Sequence, residues 1–487
     1  MTRHILAIDQ GTTSTRAILF DEAGKPLTKS AREFPQIYPR DGWVEHDAET
    51  IWADTLAVVK DVLTEETRAI GITNQRETIV LWDRATGKPL HNAIVWQDRR
   101  TAETCRNLKA DGHESAIRAK TGLLLDPYFS ATKLAWLLDN VEGARAAAKR
   151  GDLACGTIDA FLLWRLTGGR VHATDITNAG RTMLCDIHKG EWDDTLLDLF
   201  GIDYSLLPQI TGNSEIYGET GAALLGRAIP IAGMAGDQQA ALIGQACFTP
   251  GMVKSTYGTG CFMLLNTGGE AILSDNRLLT TPAYRIGDET VYALEGSIFV
   301  AGAAVKWLRD KLGLIDAAAD TEAIARAAPD DHGVTLVPAF VGLGAPHWEP
   351  DARALLTGMT LDTTAEHIVR ATLESIAFQT RDLVDAMRAD GADEPQTLRI
   401  DGGMAQNGWF AQFLSDILDA PVERPANHET TALGAAYLAG LSVGVWNGLD
   451  DLSERWQADK RFEPAMNAER RETLLMRWRD ALRRAMP

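Results

Sequence analysis

Cysteine is scarce in this chain of 487 residues, and the five cysteines are widely scattered. They are Cys105, Cys155, Cys185, Cys247 and Cys261, and no two of them form a Cys-x-x-Cys pair. An odd, scattered set is typical of reduced thiols in a cytosolic protein, and it argues against a disulfide framework or a structural zinc site. We therefore expect a cytoplasmic location.

Long hydrophobic runs are missing too. Although 45% of the residues are hydrophobic, no stretch approaches the ~18 uninterrupted apolar residues of a membrane span. The chain enters a strand-like run at residues 5–8 almost at once, without the pattern of a signal peptide. We expect no membrane span.

Positive charge is in deficit, with 48 Lys and Arg against 67 Asp and Glu and a formal net charge of −19. Such a field opposes nonspecific binding to nucleic acid or to anionic lipid, so no nucleic-acid partner is expected. The acidic excess is better explained by solubility than by a partner. The length predicts two domains of roughly 240 residues each.

Several common site motifs do not occur. The sequence has no Walker loop ending in Gly-Lys-Ser/Thr, no Gly-x-Gly-x-x-Gly and no His-Glu-x-x-His. Their absence weakens the P-loop NTPase, Rossmann dehydrogenase and zinc-protease interpretations.

The sequence does contain two strand–turn–strand patterns. One covers residues 5–20 around a Gly/Thr/Ser turn, and a weaker copy covers residues 251–265. One copy opens each half, which predicts two similar domains facing each other across a cleft. The predicted division gives residues 1–246 and 247–487.

Helical patterns alternate with these strands. Apolar residues at helical spacing predict helices over residues 363–388 and 407–418, and Thr363 with Glu366 has the form of a capping box. Strands mixed with helices indicate an α/β fold.

The first turn suits a phosphate group. Gly, Thr and Ser between two strands offer backbone N–H groups and hydroxyls at close range, without bulky side chains. Asp9 at the end of the first strand would lie beside this turn and could hold hydrated Mg²⁺, and Arg16 could reach phosphate oxygens. A plain hairpin with Asp9 capping the turn explains the same residues equally well when the turn is taken alone.

Four motifs together resemble the FGGY carbohydrate kinases, within the actin/Hsp70/sugar-kinase superfamily. Residues 9–16 (DQGTTSTR) are similar to the first phosphate motif of that family, 257–262 (YGTGCF) to the second, 400–407 (IDGGMAQN) to the adenosine motif, and 358–374 to the C-terminal signature. They occur in family order over nearly the whole chain. The resemblance implies an α/β fold of two RNase-H-like domains facing a central cleft, with ATP and Mg²⁺ as cofactors.

Three further stretches resemble the members of this family that phosphorylate glycerol. They are residues 74–78 (NQRET), 126–130 (DPYFS) and 236–242 (GDQQAAL). This resemblance implies glycerol as the small-molecule substrate and a homo-oligomer, either a dimer or a tetramer.

The polar residues in these stretches suit a small triol. Glu77 and Asp237 can accept hydrogen bonds from hydroxyls, Arg76 and Gln238 can donate them, and Tyr128 can do either. By resemblance, Asp237 is the general base for in-line transfer of the γ-phosphoryl group, and it shares the Mg²⁺ with Asp9 through water.

Two aromatic residues, Trp96 and Phe262, would cover the carbon backbone of the polyol and exclude water. Each assignment has a plain alternative. The aromatics would be core residues, Arg76 and Glu77 a surface ion pair, and Asp237 a turn cap.

The resemblance also assigns nucleotide contacts to both halves, at Thr12, Thr13, Ser14, Arg16, Thr259, Gly302, Lys306, Gly403 and Asn407. Lys306 stands where the family usually has Gln, which leaves the nature of that contact open. Residues 217–227 lack the Gly-Gly-Arg form of a loop that binds fructose 1,6-bisphosphate in some relatives, so control by that sugar stays open.

Two rival functions remain at this point. One is a kinase of the same family for another polyol or a sugar such as a ketopentose. The other is an actin- or Hsp70-like ATPase that switches a protein partner, although such a switch has no need of a polyol pocket.

Overall fold

The computed structural model describes residues 3–392 and 396–487. The strands of the N-terminal half are β1 (His4–Gln10), β2 (Ser14–Phe20), β3 (Pro26–Glu33), β4 (Glu45–His46), β5 (Thr67–Asn74), β6 (Ile79–Asp83), β7 (Ala93–Ile94), β8 (Leu153–Thr157), β9 (Ala173–Asp175), β10 (Cys185–Asp186), β11 (Glu191–Trp192), β12 (Gln209–Thr211), β13 (Gly218–Glu219) and β14 (Pro230–Gly236). Its helices are α1 (Ala48–Val62), α2 (Ala102–Ala110), α3 (Glu114–Thr121), α4 (Ser130–Asn140), α5 (Ala144–Lys149), α6 (Ile158–Leu166), α7 (Ile176–Ala179), α8 (Asp194–Phe200), α9 (Ala222–Leu225) and α10 (Asp237–Gly244), with a 3₁₀ turn at Tyr204–Leu206.

The strands of the C-terminal half are β15 (Val253–Tyr257), β16 (Cys261–Gly268), β17 (Leu279–Ile286), β18 (Glu289–Ile298), β19 (Thr335–Val337), β20 (Leu355–Thr357), β21 (Leu398–Asp401), β22 (Val422–Pro425) and β23 (Ala458–Phe462). Its helices are α11 (Gly302–Trp307), α12 (Asp320–Ala327), α13 (Ala365–Ala389), α14 (Gly408–Leu418), α15 (Thr430–Ser442), α16 (Leu449–Arg455) and α17 (Ala468–Ala485). A π turn at Leu308–Leu312 follows α11, and a 3₁₀ turn at Gly403–Gln406 precedes α14.

The two halves repeat one sheet topology. The N-terminal sheet runs β13-β14-β5-β1-β2-β3, and the C-terminal sheet runs β17-β18-β16-β15-β21-β22-β23. In both, the first strand of the strand–turn–strand unit pairs antiparallel with the second and parallel with a later strand, β5 or β21. The predicted two-domain α/β fold of the sugar-kinase type is confirmed.

The core strands are apolar because helices cover both faces of each sheet. Residues 5–8 of β1 are fully buried, which explains why this strand reads as an uninterrupted apolar run and not as an alternating one. Among the described residues, no helix combines the length and the apolar character that a membrane crossing needs.

Helices α10 and α15 cross between the two sheets, and their backbones touch. A Cβ on Gly434 of α15 would lie 1.8 Å from the carbonyl oxygen of Ala240, and one on Gly244 of α10 would lie 1.9 Å from that of Thr430. Helix α15 also packs on β1, β5 and β14, so an element of the C-terminal half completes the N-terminal sheet. The division at residue 246 lies between α10 and β15 and stays a prediction.

The predicted cap of α13 is shifted by one residue. Thr364, not Thr363, is the N-cap, and His367, not Glu366, closes the capping box. The hydroxyl of Thr363 instead accepts the backbone N–H of Thr360 at 2.9 Å, in the turn before the helix. The helix over 407–418 begins at Gly408, with Asn407 as its N-cap.

Candidate active site

The sheet topology brings the predicted motifs to one edge of each sheet. Asp9, Thr73 and Ala235 are in register on the parallel strands β1, β5 and β14, so the segments that follow them emerge side by side. Thr256 and Asp401 are likewise in register on β15 and β21. Ligands of open α/β sheets bind at the carboxyl ends of the strands, and the candidate site lies there.

The first phosphate turn is tight and open to solvent. The N–H of Gly11 donates to the carbonyl of Ser14 at 2.9 Å and closes the turn. Thr13 at its tip is exposed, and Thr12 and Ser14 are partly exposed, so a ligand can reach this turn from solvent. The geometry suits phosphate oxygens.

The second phosphate turn is held by the start of α11. The N–H of Gly302 donates to Gly258 at 3.0 Å, and that of Ala303 donates to Thr259 at 3.0 Å. A Cβ on Gly258 would meet nothing closer than 3.9 Å, and one on Gly403 would meet nothing within 4 Å. Both exposed glycines therefore border open space, of the kind that a nucleotide would fill.

Arg16 connects the two halves through two carboxylates. Its guanidinium forms an ion pair with Asp9 of β1, and Nη1 lies 2.9 Å from Oε2 of Glu429 at the start of α15. The charge of Asp9, opposed in part by burial, raises the pKa of Arg16. Arg16 keeps 36% of its side chain exposed, and its predicted phosphate contact stays a prediction.

The predicted adenosine residues differ in their surroundings. The Asn407 side chain accepts the N–H of Phe410 at 2.9 Å and donates to Thr321 at 3.1 Å, so it caps α14. Lys306 is exposed on α11, four residues after Gly302 and therefore on the same side of that helix.

Arg76 is the centre of the predicted polyol pocket. Its Nη atoms donate to Glu295 at 2.6 and 2.9 Å, while Nε lies 3.3 Å from Asp237 and 3.7 Å from Glu77. Arg76 is only 2% exposed and Glu77 1%, so they are not a surface ion pair. Glu77 also has a left-handed φ of 60°, which is costly for a non-glycine residue and is typical of functional sites.

Sequence reasoning missed two charged residues of this cluster. Arg181 donates to Glu77 at 2.7 Å and to Glu295 at 3.0 Å. Glu295 is fully buried, and although burial opposes its ionisation, Arg181 and Arg76 lower its pKa to about 2. Glu295 directly follows residues 291–294 (VYAL) of strand β18, and a charge after that apolar run was the available signal. Nothing in the sequence pointed to Arg181.

Asp237 is the first residue of α10, and its carboxylate faces several charges. Burial, with the negative charge of Glu77 adding and that of Arg76 opposing, raises the pKa of Asp237 to about 6. Its Oδ1 accepts the N–H of Gln238 at 2.8 Å, so it caps a turn as well. A carboxylate with a pKa near neutrality, and with 31% of its side chain still exposed, is suited to accept a proton.

Lys254 fixes the orientation of Gln238. Its buried ammonium donates to Oε1 of Gln238 at 2.6 Å and to Thr256 at 3.0 Å. Because an ammonium can only donate, the amide oxygen of Gln238 faces Lys254 and the NH₂ group is left for another partner. Burial lowers the pKa of Lys254.

Trp96 and Phe262, the aromatic residues predicted to cover the polyol, lie together and are partly exposed. Aromatic residues of a hydrophobic core would be fully buried. The rings of Trp96 and Phe262 are 6.3 Å apart, edge to face, and Tyr128 lies 5.5 Å from Trp96. The Trp96 indole N–H donates to the hydroxyl of Thr12 at 3.0 Å, so this ring also reaches the first phosphate turn. Burial raises the pKa of Tyr128 above its usual range.

No group of three or more His, Cys, Asp or Glu within residues 3–392 and 396–487 is arranged as a metal site. Asp9 and Asp237 are the carboxylates at the carboxyl edge of the N-terminal sheet that the sequence assigned to Mg²⁺. Mg²⁺ usually keeps several waters and takes few protein carboxylates together with substrate phosphates, and two carboxylates fit that chemistry.

Arg227, in the region where some relatives bind a sugar phosphate, is engaged by its own half of the chain. Arg227 donates from Nη2 to the carbonyls of Thr64 and Thr67 at 2.9 and 2.8 Å, which fastens its own half of the chain.

The chain is similar to known proteins over nearly its whole length. The chain is 61% identical over 487 residues to a glycerol kinase of Gluconobacter oxydans, covering 99% of this chain and 95% of that protein. It is 57% identical to a glycerol kinase of Ectopseudomonas mendocina, covering 99% of each chain. The crystal structure of Plasmodium falciparum glycerol kinase with ADP superposes with a TM-score of 0.95 at 40% identity, covering 100% of this chain and 99% of that one.

Family models agree with these relatives. The N-terminal domain of the FGGY family of carbohydrate kinases matches residues 4–244, and its C-terminal domain matches residues 253–443. The chain belongs to the FGGY family of carbohydrate kinases.

Proposed function

We propose that this protein phosphorylates glycerol with ATP to give sn-glycerol 3-phosphate. The observation that carries the proposal is the buried Arg76–Glu77 pair beside Asp237, a compact set of donors and acceptors at the strand ends. Full-length relatives that are glycerol kinases support the same substrate.

The polyol pocket supplies orientation. Arg76 Nε donates toward one side of the substrate, and Glu77 accepts a hydrogen bond from a hydroxyl. Gln238 presents its NH₂ group because Lys254 holds its oxygen. Tyr128 forms no hydrogen bond through its hydroxyl within the described residues, which leaves that hydroxyl for the substrate. Holding the reacting atoms in line accounts for much of the rate in phosphoryl transfer.

Asp237 acts as the general base. It takes the proton of a terminal hydroxyl while that oxygen bonds to the γ-phosphorus, and the bond from the γ-phosphorus to the β–γ bridging oxygen breaks, so ADP leaves. Its raised pKa makes it a better proton acceptor than an ordinary carboxylate.

The phosphate turns stabilise the charge on the transferred group. N–H groups and hydroxyls at Thr12, Thr13 and Ser14 act from one half, and Thr259 acts from the other. Asp9 and Asp237 are the residues that would hold Mg²⁺, which when bound neutralises charge on the β- and γ-phosphates. Trp96 and Phe262 exclude water, which would otherwise compete as a nucleophile.

A coupled assay of ADP formation tests the proposal. ADP should appear with glycerol and should be slow without it. Faster turnover with a ketopentose would favour another sugar-kinase specificity, and ADP formation independent of any polyol would favour the ATPase switch. The dimer or tetramer and the cytoplasmic location stay predictions, and light scattering measures the former.

A further inference from the structure

A closed ring of hydrogen bonds joins the first phosphate turn to the polyol pocket. Its members are Thr12, Gln36, His46, Gln75, Thr78 and Trp96. Of these, only Thr12 and Trp96 belong to the candidate binding surfaces, and the others are buried or partly buried behind them.

One arc of the ring runs from Trp96 to His46. The backbone N–H of Trp96 donates to the Thr78 hydroxyl at 3.3 Å, and that hydroxyl donates to Gln75 Oε1 at 3.0 Å. Nε2 of Gln75 then donates to Nδ1 of His46 at 3.2 Å. The same amide nitrogen lies 3.0 Å from Oε1 of Gln10 and 3.2 Å from the carbonyl oxygen of Gly11, which requires it to be the NH₂ group, and its two hydrogens are shared among three acceptors.

The second arc runs from His46 to Thr12. Nε2 of His46 lies 2.6 Å from Oε1 of Gln36, and Nε2 of Gln36 donates to the carbonyl of Thr12 at 2.9 Å. Because Gln36 uses its NH₂ group on a carbonyl, its oxygen must accept from His46. His46 is therefore the neutral tautomer with its proton on Nε2, and burial lowers its pKa to about 4.

The donors along both arcs point in one direction, from Trp96 to Thr12. Hydrogen bonds arranged in this way polarise one another, so the chain is stronger than its separate members. The Trp96 indole N–H donates to the Thr12 hydroxyl at 3.0 Å and closes the ring. His46 accepts at Nδ1 and donates at Nε2, so an apolar side chain at this position would interrupt the ring.

We propose that His46 is a positioning residue that couples the nucleotide site to the glycerol site. The proposal rests on the proposed function. Glycerol orders Trp96, where the first arc begins, and the nucleotide phosphates order Thr12, where the second arc ends. With the ring intact, binding of one substrate favours the conformation that the other substrate needs, and this coupling is reciprocal.

The experiment measures coupling by calorimetry. The affinity for a non-hydrolysable ATP analogue is determined with and without glycerol, in the wild type, in His46→Leu and in Gln36→Met. We expect the wild type to gain about 5-fold or more with glycerol, within the usual range of allosteric coupling. Both variants should lose a measurable part of that gain, although the direct bond from Trp96 to Thr12 stays intact. The double variant should lose no more than either one, because both changes interrupt the same ring.

His172 provides the matched control. It is buried, burial lowers its pKa to about 4 as well, and its Nε2 bonds to the carbonyl of Cys155 in the same half, outside the ring. His172→Leu should keep the coupling even if it lowers the melting temperature. Gln36 is only partly buried, so Gln36→Met keeps the test valid if His46→Leu fails to fold.

Two results would overturn the proposal. One is a wild type that phosphorylates glycerol but shows no coupling. The other is Gln36→Met with full coupling. Turnover of glycerol by the wild type is measured first, and its absence would count against the proposed function itself.

Discussion

Arg76 and Glu295 form a bidentate ion pair, with Nη–Oε distances of 2.6 and 2.9 Å, between the polyol motif of one half and strand β18 of the other. Because both Nη atoms are engaged, Nε is the donor that remains on the side of Asp237, 3.3 Å away. The C-terminal half thus sets the orientation of the main donor in the pocket of the N-terminal half.

Glu295→Gln should raise the KM for glycerol while the KM for ATP stays near that of the wild type. The amide keeps the shape but cannot accept both N–H groups, and a buried donor left unpaired costs about 1–3 kcal/mol, or roughly 5- to 150-fold in kcat/KM. Steady-state kinetics with each substrate varied separately measure this. Glu374→Gln is the control, since Glu374 is also buried and lies 2.9 Å from Arg370, in α13. Equal losses for both substrates would point to a folding defect.

Asp237→Asn should lower kcat by about 10²–10⁴, the usual cost of losing a general base. The amide keeps the hydrogen bond to Gln238, so the start of α10 is preserved and binding of an ATP analogue should change little. Stopped assays give kcat, and calorimetry gives the affinity. A variant that keeps most of the wild-type kcat would rule out Asp237 as the base.

The pH dependence of kcat/KM for glycerol should show an acid limb with a midpoint at about pH 6. The pKa of Asp237 is raised to about 6, so below that pH the base is protonated and activity falls tenfold per pH unit. Asp159 needs a control, because burial and the nearby Asp175 raise its pKa to about 7. Asp159→Asn should leave the acid limb in place. If the limb disappears in this variant, it reports the titration of Asp159 and not that of Asp237.

Gly258→Val should fold normally and bind an ATP analogue at least tenfold more weakly. The new side chain meets no protein atom closer than 3.9 Å at Cβ, so the cost falls on the space assigned to the phosphates. Solution scattering should show compaction with glycerol and the analogue in the wild type but not in the variant. Gly269→Val, with nothing within 4 Å of its Cβ, should behave as the wild type. Full activity in Gly258→Val would contradict the two-turn clamp.

The strand–turn–strand units were predictable because the spacing of apolar residues and the residue types of a turn are local properties of the sequence. The same holds for the helix over 407–418. The cap of α13 was misplaced by one residue because Thr363 and Thr364 are both competent caps. The choice depends on His367, which reaches back to the N–H of Thr364 at 3.2 Å.

Residues of the candidate site could be predicted where they lie together in a short motif. They were missed where the contact joins residues far apart in the sequence. Arg76, Glu77 and Asp237 stood out in short motifs. Arg181 and Glu295 lie 114 residues apart in the chain, and only the packing of β18 against the N-terminal half brings them within 3.0 Å. The ion pair of Arg16 with Glu429 was missed for the same reason, since Glu429 comes from the far end of the sequence.

The contact of Gly244 with Gly434 bears on how the halves can move. Side chains that interlock at a helix crossing must change rotamer when the crossing angle changes, but at these two glycines main chain meets main chain. We therefore expect this crossing to act as a pivot for small rotations. Asp237 lies seven residues from Gly244 on the same helix, about 10 Å along its axis. A rotation about Gly244 would therefore displace Asp237, the proposed general base, in proportion to that distance.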